Sequence, residues 1–360
     1  MSVYAIVLAA GEGTRMQSIV PKPLHKICGQ EMVIHVIAAL ADLQVSKTVV
    51  VVGHAAKQVI NTVTTAAPGW AKVSFAEQKA QLGTGDATVV GLSGVDQIDG
   101  NTNEIPSSST VIVMPGDTPL LKASTISTLV KMHQTSNNAA TVLTSFVDSP
   151  TGYGRIVRAK DDRILKIVEE RDASPEIKSI REINTGIFAF RHELLGPALR
   201  QISNKNSQPE FYLTDVIEIL ANTDHRVGSN TAPAAEVSGV NDRWQMAMAE
   251  RELRDRTNKM WLISGVKMHD SQQIFIDVTV KIGKNVTLLA GTILQGSSVI
   301  GDDCEIGPNT RLANTTVGAG SRVVSTIANH VKIGEKAIVG PSAKLAPGTT
   351  VAGEAILDSF

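Results

Sequence analysis

The chain has 360 residues, 42% of them hydrophobic, enough to give two domains a core each and to exclude a disordered chain. Its 34 Lys and Arg stand against 35 Asp and Glu, so no surplus of positive charge marks it for nucleic acid or an anionic membrane, and any basic site must be local. Cys28 and Cys304 are far apart and have no His or Cys at zinc spacing, which reads as two small buried hydrophobes in a reducing compartment rather than a disulfide.

The first run, VYAIVLAA from Val3, is apolar but has no basic segment before it, is too short for a signal sequence and runs into a glycine loop, so it reads as a buried parallel strand. No later run approaches the eighteen apolar residues of a membrane span, and the protein is expected in the cytoplasm. The loop GEGTR from Gly11, with a helix expected after it, is an arrangement in which backbone N–H groups and a helix N-terminus cradle anionic oxygens. It lacks the third glycine of a dinucleotide fingerprint and the Gly-Lys-Ser/Thr of a P-loop. It does supply Arg15, whose fork grips phosphate bidentately, and Lys22, a point charge that Pro21 and Pro23 hold in an extended segment. Two cations and many N–H donors suit a triphosphate; taken alone, the stretch reads first as two solvated cations in a proline-rich turn.

Further β-branched runs follow at 47–53, 109–117 and 139–147, with helical patterns between them and polar loops at 96–108 and 203–209. Near-continuous apolar strands separated by helices predict a mostly parallel sheet covered on both faces, with its site at the carboxyl ends of the strands. Asp117 ends one such strand, and reads either as a metal carboxylate or as the N-cap of a helix beginning at TPLL. From Asp242 to Ile263 there is no Pro or Gly, and Met246, Leu253 and Met260 recur every seven residues, which predicts one long helix with a narrow apolar seam. Beyond it Ile282, Leu288, Leu294, Ile300, Ile306 and Leu312 are six apart. After an irregular passage Ile333, Val339, Leu345, Val351 and Leu357 resume that period, with small or β-branched residues such as Thr292, Ser298 and Cys304 four positions on. A period of six is the mark of a parallel β-helix, with about four coils over 282–360.

The motifs LAAGEGTRM with PKPL, AEQKAQLGTGDA, MPGDTPLL, PTGYGRIVR, IVEERDAS, EINTGIFAF, EFYLTDVIEIL and VSGVNDR occur in that order. Together they resemble the sugar-1-phosphate nucleotidyltransferases. With the hexapeptide tail, they resemble in particular the bacterial family that joins an N-acetylglucosamine-1-phosphate uridyltransferase to a glucosamine-1-phosphate acetyltransferase. The resemblance covers essentially the whole chain. It implies a Rossmann-like nucleotidyltransferase domain over 1–240, a linker helix over 241–264 and a truncated left-handed β-helix over 265–360.

The resemblance also implies the chemistry. A sugar-phosphate oxygen, already an anion, attacks the α-phosphorus of UTP and expels pyrophosphate, so no general base is needed. What is needed is Mg²⁺ and fixed cations to offset the gathered negative charge. By resemblance Asp117 and Asn241 hold Mg²⁺, and Arg15 and Lys22 neutralise the phosphates. The base meets Leu8, Ala9, Ala10, Gly11, Gln78, Gly83 and Thr84, the Gln amide being able to meet both a carbonyl and an N–H of uracil. The N-acetylglucosamine-1-phosphate meets Gly154, Glu169, Asn184, Tyr212 and Thr214.

Pro115 departs from the aromatic residue some relatives have beside the sugar, Lys79 and Ala80 alter the spacer before QLGTG, and His25, His54 and His133 match no catalytic role. The family's acetyltransferase site lies in later coils, and the arginine of its Arg-Pro-Gly stretch is here Ala346, so acetyl transfer is expected to be absent. The apolar faces of the β-helix still support a homotrimer, with a frayed edge near Leu357 and Phe360 because no polar capping unit closes the last coil. The competing expectations are transfer to a different sugar-1-phosphate or from dTTP, and a non-catalytic regulatory subunit of the same architecture.

Overall fold

The computed structural model describes residues 1–97 and 105–358. It forms two compact units, Met1–His25 with Glu31–Gln245, and Lys26–Gln30 with Met246–Phe360. Residues 98–104 of the expected polar loop, and Phe360, lie outside the described residues.

The first unit is built on β1 (Val3–Leu8), β2 (Val45–Val52), β3 (Val73–Glu77), β4 (Thr110–Pro115), β5 (Ala140–Phe146), β6 (Arg155–Arg158), β7 (Ile164–Val168), β8 (Glu182–Arg191) and β9 (Val227–Thr231). Seven of these run side by side in the order β9-β5-β8-β4-β1-β2-β3, and the β6–β7 hairpin joins through β8. β1 is parallel to both β2 and β4, β2 to β3, and β5 to β9. The exception is β8, antiparallel to both β4 and β5. Its segment was not among the apolar runs, and a register shift between Asn184 and Phe188 shows why: the chain bulges at Asn-Thr-Gly, which reads as a turn.

The period of two along β1 assigns its faces. Ala5 and Val7 pack with Val33 and Ile37 of α1 (Met32–Ala38), Val59 of α2 (Ala56–Ala66) and Leu129 of α4 (Ala123–Thr135). Ile6 packs with Val95 of α3 (Thr84–Asp96), Leu195 of α5 (His192–Leu199) and Ile217 of α6 (Asp215–Asn222). Both faces are covered, which is why these strands lack polar alternation. α3 lies close on the sheet because residue 91 is glycine: a Cβ there would stand 2.4 Å from Ile6.

The second unit is a left-handed parallel β-helix whose strands form three sheets of six, five and five among the described residues. Inward side chains stack coil on coil: Leu288, Ile306, Val323 and Val339 in one sheet, Ile282, Ile300, Val317, Ile333 and Val351 in another. This exceeds the four coils expected, because the helix starts earlier: Ile276 stands six residues before Ile282, and Met268, eight before Ile276, breaks the period. The irregular passage belongs to the same stack. Leu312 to Val317, Val323 to Ala328 and Ala328 to Ile333 are steps of five, and each drops one corner residue without leaving its sheet.

The helix α7 (Arg243–Ile263) forms as expected, but its buried positions are Ala249, Thr257 and Asn258 rather than the Met246, Leu253 and Met260 seam; Met260 is half exposed. Asn258 explains the difference. Its amide nitrogen donates to the carbonyls of Ser271 (2.7 Å) and Ile274 (2.9 Å), so a polar anchor takes the place of an apolar one. The two cysteines are free and buried, and burial pushes both thiols above their ordinary range.

Candidate active site

The carboxyl ends of β1, β3 and β4 open on a cavity of about 340 Å³. Leu8, Ala9, Ala10, Gly11, Lys22, Gln78, Gly83, Thr84 and Asp117 all line it. Its phosphate loop differs from the expected form. No α-helix opens on GEGTR; its own end forms a single 3-10 turn, Thr14–Met16, and a second turn covers Lys22–Leu24. Pro21 is extended (φ −54°, ψ 138°), but Lys22 and Pro23 are not, so the proline pair sets the entry to a turn. Gly13 has φ +66°, and a Cβ on it would fall 2.5 Å from the Cβ of Lys22. The second glycine of the motif thus lets the loop fold over the lysine stem.

Lys22 is the hub. Its ammonium pairs with the Asp117 carboxylate and donates to Asn241 Oδ1 at 2.9 Å. Arg15 also donates to Asn241 Oδ1, at 2.9 Å, from 226 positions away in sequence. Lys22 and Asp117 are shielded, at 14% and 24% side-chain exposure, so their attraction is less screened than that of a surface pair. Asp117 caps no helix: the residues after it are turns, and α4 starts only at Ala123 with Lys122 as its N-cap. Its backbone carbonyl accepts from Val240 N–H at 2.8 Å, which fastens the loop after β4 to the segment carrying Asn241. One carboxylate and one amide oxygen therefore meet at a single cation, and hard oxygen donors of this kind suit Mg²⁺.

Thr84 and Gln78 are tied up differently from expectation. The Thr84 hydroxyl accepts from Leu213 N–H (3.1 Å), and Gly85 N–H donates to Phe211 C=O (2.7 Å), stitching the LGTG turn to EFYL. Gly83, at φ +111°, admits the Phe211 carbonyl, which would lie 2.6 Å from a Cβ there. Gln78 is buried, and its amide nitrogen is engaged by Asp86 (2.7 Å) and by the Gly83 carbonyl (3.3 Å), so it cannot offer both an N–H and a carbonyl to a base. Gln81, the first residue of QLGTG, to which the motif assigned no role, lines the same cavity and donates to Ala10 C=O at 2.8 Å. Pro115, Gly116 and Glu210 line it too.

Glu169 and Tyr212 face a second cavity, of about 240 Å³, with Asp172 and Asp215 on its wall. Glu169 accepts from the Thr214 hydroxyl at 3.0 Å. Burial holds its pKa above the usual carboxylate range, and the charges of Asp215 and Asp172 add to that, while the Thr214 bond and Arg155 oppose it. Gly154 supports Glu169 from below: a Cβ there would lie 3.3 Å from Oε2, and its carbonyl accepts from Asn184 N–H at 2.8 Å. The Asn184 side-chain oxygen accepts from Gly186 N–H at 3.0 Å. Burial first, then Asp172, Glu169 and Glu210, pushes the Tyr212 phenol up to about 12, so it stays a neutral donor. Tyr153, inside the quoted PTGYGR motif but not singled out, stands beside Asp117. Burial and that carboxylate raise its pKa, and a hydrogen bond with Gly239 backbone lowers it. His133 is a buried neutral packing residue, bonded to Thr141 at 3.0 Å and lowered to about 4 by burial.

Two family models match the chain: the MobA-like NTP transferase domain over residues 5–206, and the bacterial transferase hexapeptide with six repeats over 279–314. Over 92% of its length the chain is 40% identical to the bifunctional protein GlmU of Caldanaerobacter subterraneus, of which it covers 70%. Against GlmU of Streptomyces avermitilis it is 44% identical with 67% of that protein covered, and against GlmU of Geobacillus thermodenitrificans 40% with 69% covered. The chain belongs to the GlmU family. It is a nucleotidyltransferase of the UDP-N-acetylglucosamine diphosphorylase type. No helix among the described residues is long and apolar enough to cross a membrane. The relatives are named bifunctional, so the expected absence of acetyl transfer draws no support from them.

Proposed function

We propose that the chain transfers uridylyl from UTP to N-acetylglucosamine-1-phosphate in the cytoplasm. The observation that carries this is the convergence of Arg15, Lys22, Asp117 and Asn241 beside the cavity that Leu8 to Gly11 line. A sugar-phosphate oxygen forms a bond to the α-phosphorus as the bond to pyrophosphate breaks. No proton has to leave the nucleophile. Asp117 and Asn241 are the residues that would hold Mg²⁺, which when bound supplies positive charge to the phosphates. Lys22 and Arg15 place two further cations beside them and offset the charge that develops on the leaving group. The base end is closed by Gln78, Gln81 and Gly83, and the sugar end by Glu169 and Thr214, whose oxygens bind hydroxyls.

The test is release of pyrophosphate from UTP with a panel of sugar-1-phosphates and Mg²⁺. Turnover should be highest with N-acetylglucosamine-1-phosphate; a higher rate with another sugar would assign the sugar differently, with Pro115 as the first contact to re-examine. No release with any sugar would favour a non-catalytic subunit. The hexapeptide unit makes a homotrimer the expected mass in light scattering. At Ala346, before Pro347 and Gly348, no cation is offered to an acyl carrier, so acetyl-CoA with glucosamine-1-phosphate should give no product.

A further inference from the structure

Gln78 occupies the base end of the cavity with only 5% of its surface exposed. Its amide has two ends of opposite character, and rotation by half a turn would exchange a carbonyl acceptor for an N–H donor at nearly the same place. Its two partners settle which end is which. The Asp86 carboxylate, 2.7 Å away, accepts hydrogen bonds only, and so does the Gly83 backbone carbonyl at 3.3 Å. The nitrogen must face them both. The carbonyl oxygen is then the polar atom of this side chain left for a ligand.

We infer that Asp86 is a positioning residue for base choice: by locking the Gln78 amide it presents an acceptor to the bound base, admitting uracil and refusing cytosine. Uracil offers one N–H donor on its pairing edge, at N3, between two carbonyls. Cytosine in the same pose turns a nitrogen lone pair toward that acceptor, leaving two acceptors face to face and a buried group unpaired. Gln81, on the other wall, has one of its two N–H groups held by the Ala10 carbonyl at 2.8 Å, so its amide is oriented by one bond where that of Gln78 is locked by two. The inference rests on the uridylyl-transfer reading and adds to it a residue that touches no substrate. Asp86 stands in the first turn of α3, where a helix N-terminus favours a carboxylate.

The experiment uses the full chain and measures kcat and KM for pyrophosphate release with UTP and with CTP, at fixed Mg²⁺ and N-acetylglucosamine-1-phosphate. Wild type should prefer UTP strongly. In Asp86→Ala the preference, taken as the ratio of kcat/KM values, should fall at least tenfold, mainly through a higher KM for UTP with kcat little changed. Asp86→Glu, which restores an acceptor, should recover most of it. A purely structural role would lower both nucleotides together and leave the ratio alone; that outcome, in a variant that melts like wild type, overturns the inference. Should Asp86→Ala fail to fold, Asp86→Leu fills the space without an acceptor and is judged by the same ratio. Wild type that releases no pyrophosphate from UTP overturns the underlying reading instead, so the two failures are distinct.

Discussion

Replacing Gly13 by alanine tests the phosphate loop more sharply than removing a charged group, because it alters geometry and leaves every cation in place. Two costs are visible. The residue sits at φ 66°, ψ 36°, where a Cβ costs roughly 1–2 kcal/mol. The new methyl would also lie 2.5 Å from the Cβ of Lys22, which is the root of that side chain and cannot swing aside as its tip could. The Lys22–Leu24 turn must therefore move. Displacing a positioned group by about 1 Å can cost on the order of a hundredfold in rate. Gly13→Ala should then lower kcat for pyrophosphate release about a hundredfold, and lower the melting temperature of the first unit by roughly 2–8 °C. Gly11→Ala is the matched control. Nothing lies within 4 Å of a Cβ there, so its stability should stay within about 0.5 kcal/mol of wild type, while the nucleotide KM rises because Gly11 lines the cavity. A wild-type kcat in Gly13→Ala, or a larger loss of stability in Gly11→Ala, would refute the reasoning.

Asp117→Ala should cut turnover by orders of magnitude, ~3 kcal/mol or more of barrier, with little change in melting temperature; near-normal turnover rejects the metal assignment. Arg15→Lys keeps the charge but loses the planar fork that now reaches Asn241, so kcat/KM should fall well below wild type, and equal activity would show that charge alone matters there. Asp215 is raised to about 6 by burial, helped by Glu218 and Asp172. A raised acid is favoured in its protonated form by the fold, so the stability it contributes is present below about pH 4 and is lost as pH climbs toward 6. Asp215→Asn stays neutral, and in urea titrations it should be more stable than wild type at pH 7.5, with the gap closing at pH 4. A gap independent of pH would reject the assignment.

What was legible in the sequence follows from which forces leave a periodic trace. Burial on both faces leaves unbroken β-branched runs, so β1, β2, β4 and β5 could be read directly, and with them the loop ends where the site lies. A bulge erases that trace, and β8 was missed at Asn184–Phe188. The six-residue period exposes a β-helix because every coil repeats the same corner. A dropped corner residue breaks the period without breaking the stack, as Val317, Ala328 and Ile333 demonstrate. Polar anchors leave no trace at all. Asn258 in α7 and Thr84 in the LGTG turn owe their places to backbone partners that lie elsewhere in the chain, and nothing in their own spacing announces those partners.

The candidate site shows the same division one level up. Each of its pieces lies within a recognisable motif, but the meeting of Arg15, Lys22, Asp117 and Asn241 is a property of the fold. Asn241 is the informative member. Its side-chain oxygen already accepts from two cations, an arrangement in which a carboxylate would bind both more strongly. With an amide there, two fixed cations face one carboxylate, and the cluster keeps a net positive charge of one to meet a nucleoside triphosphate. With a carboxylate it would be neutral before any substrate arrived, and the pull on the phosphates would be lost while the grip on a divalent ion tightened. The amide thus keeps an oxygen available to a metal and preserves the field that draws the phosphates in, a balance that neither Asp nor an apolar residue at 241 could strike.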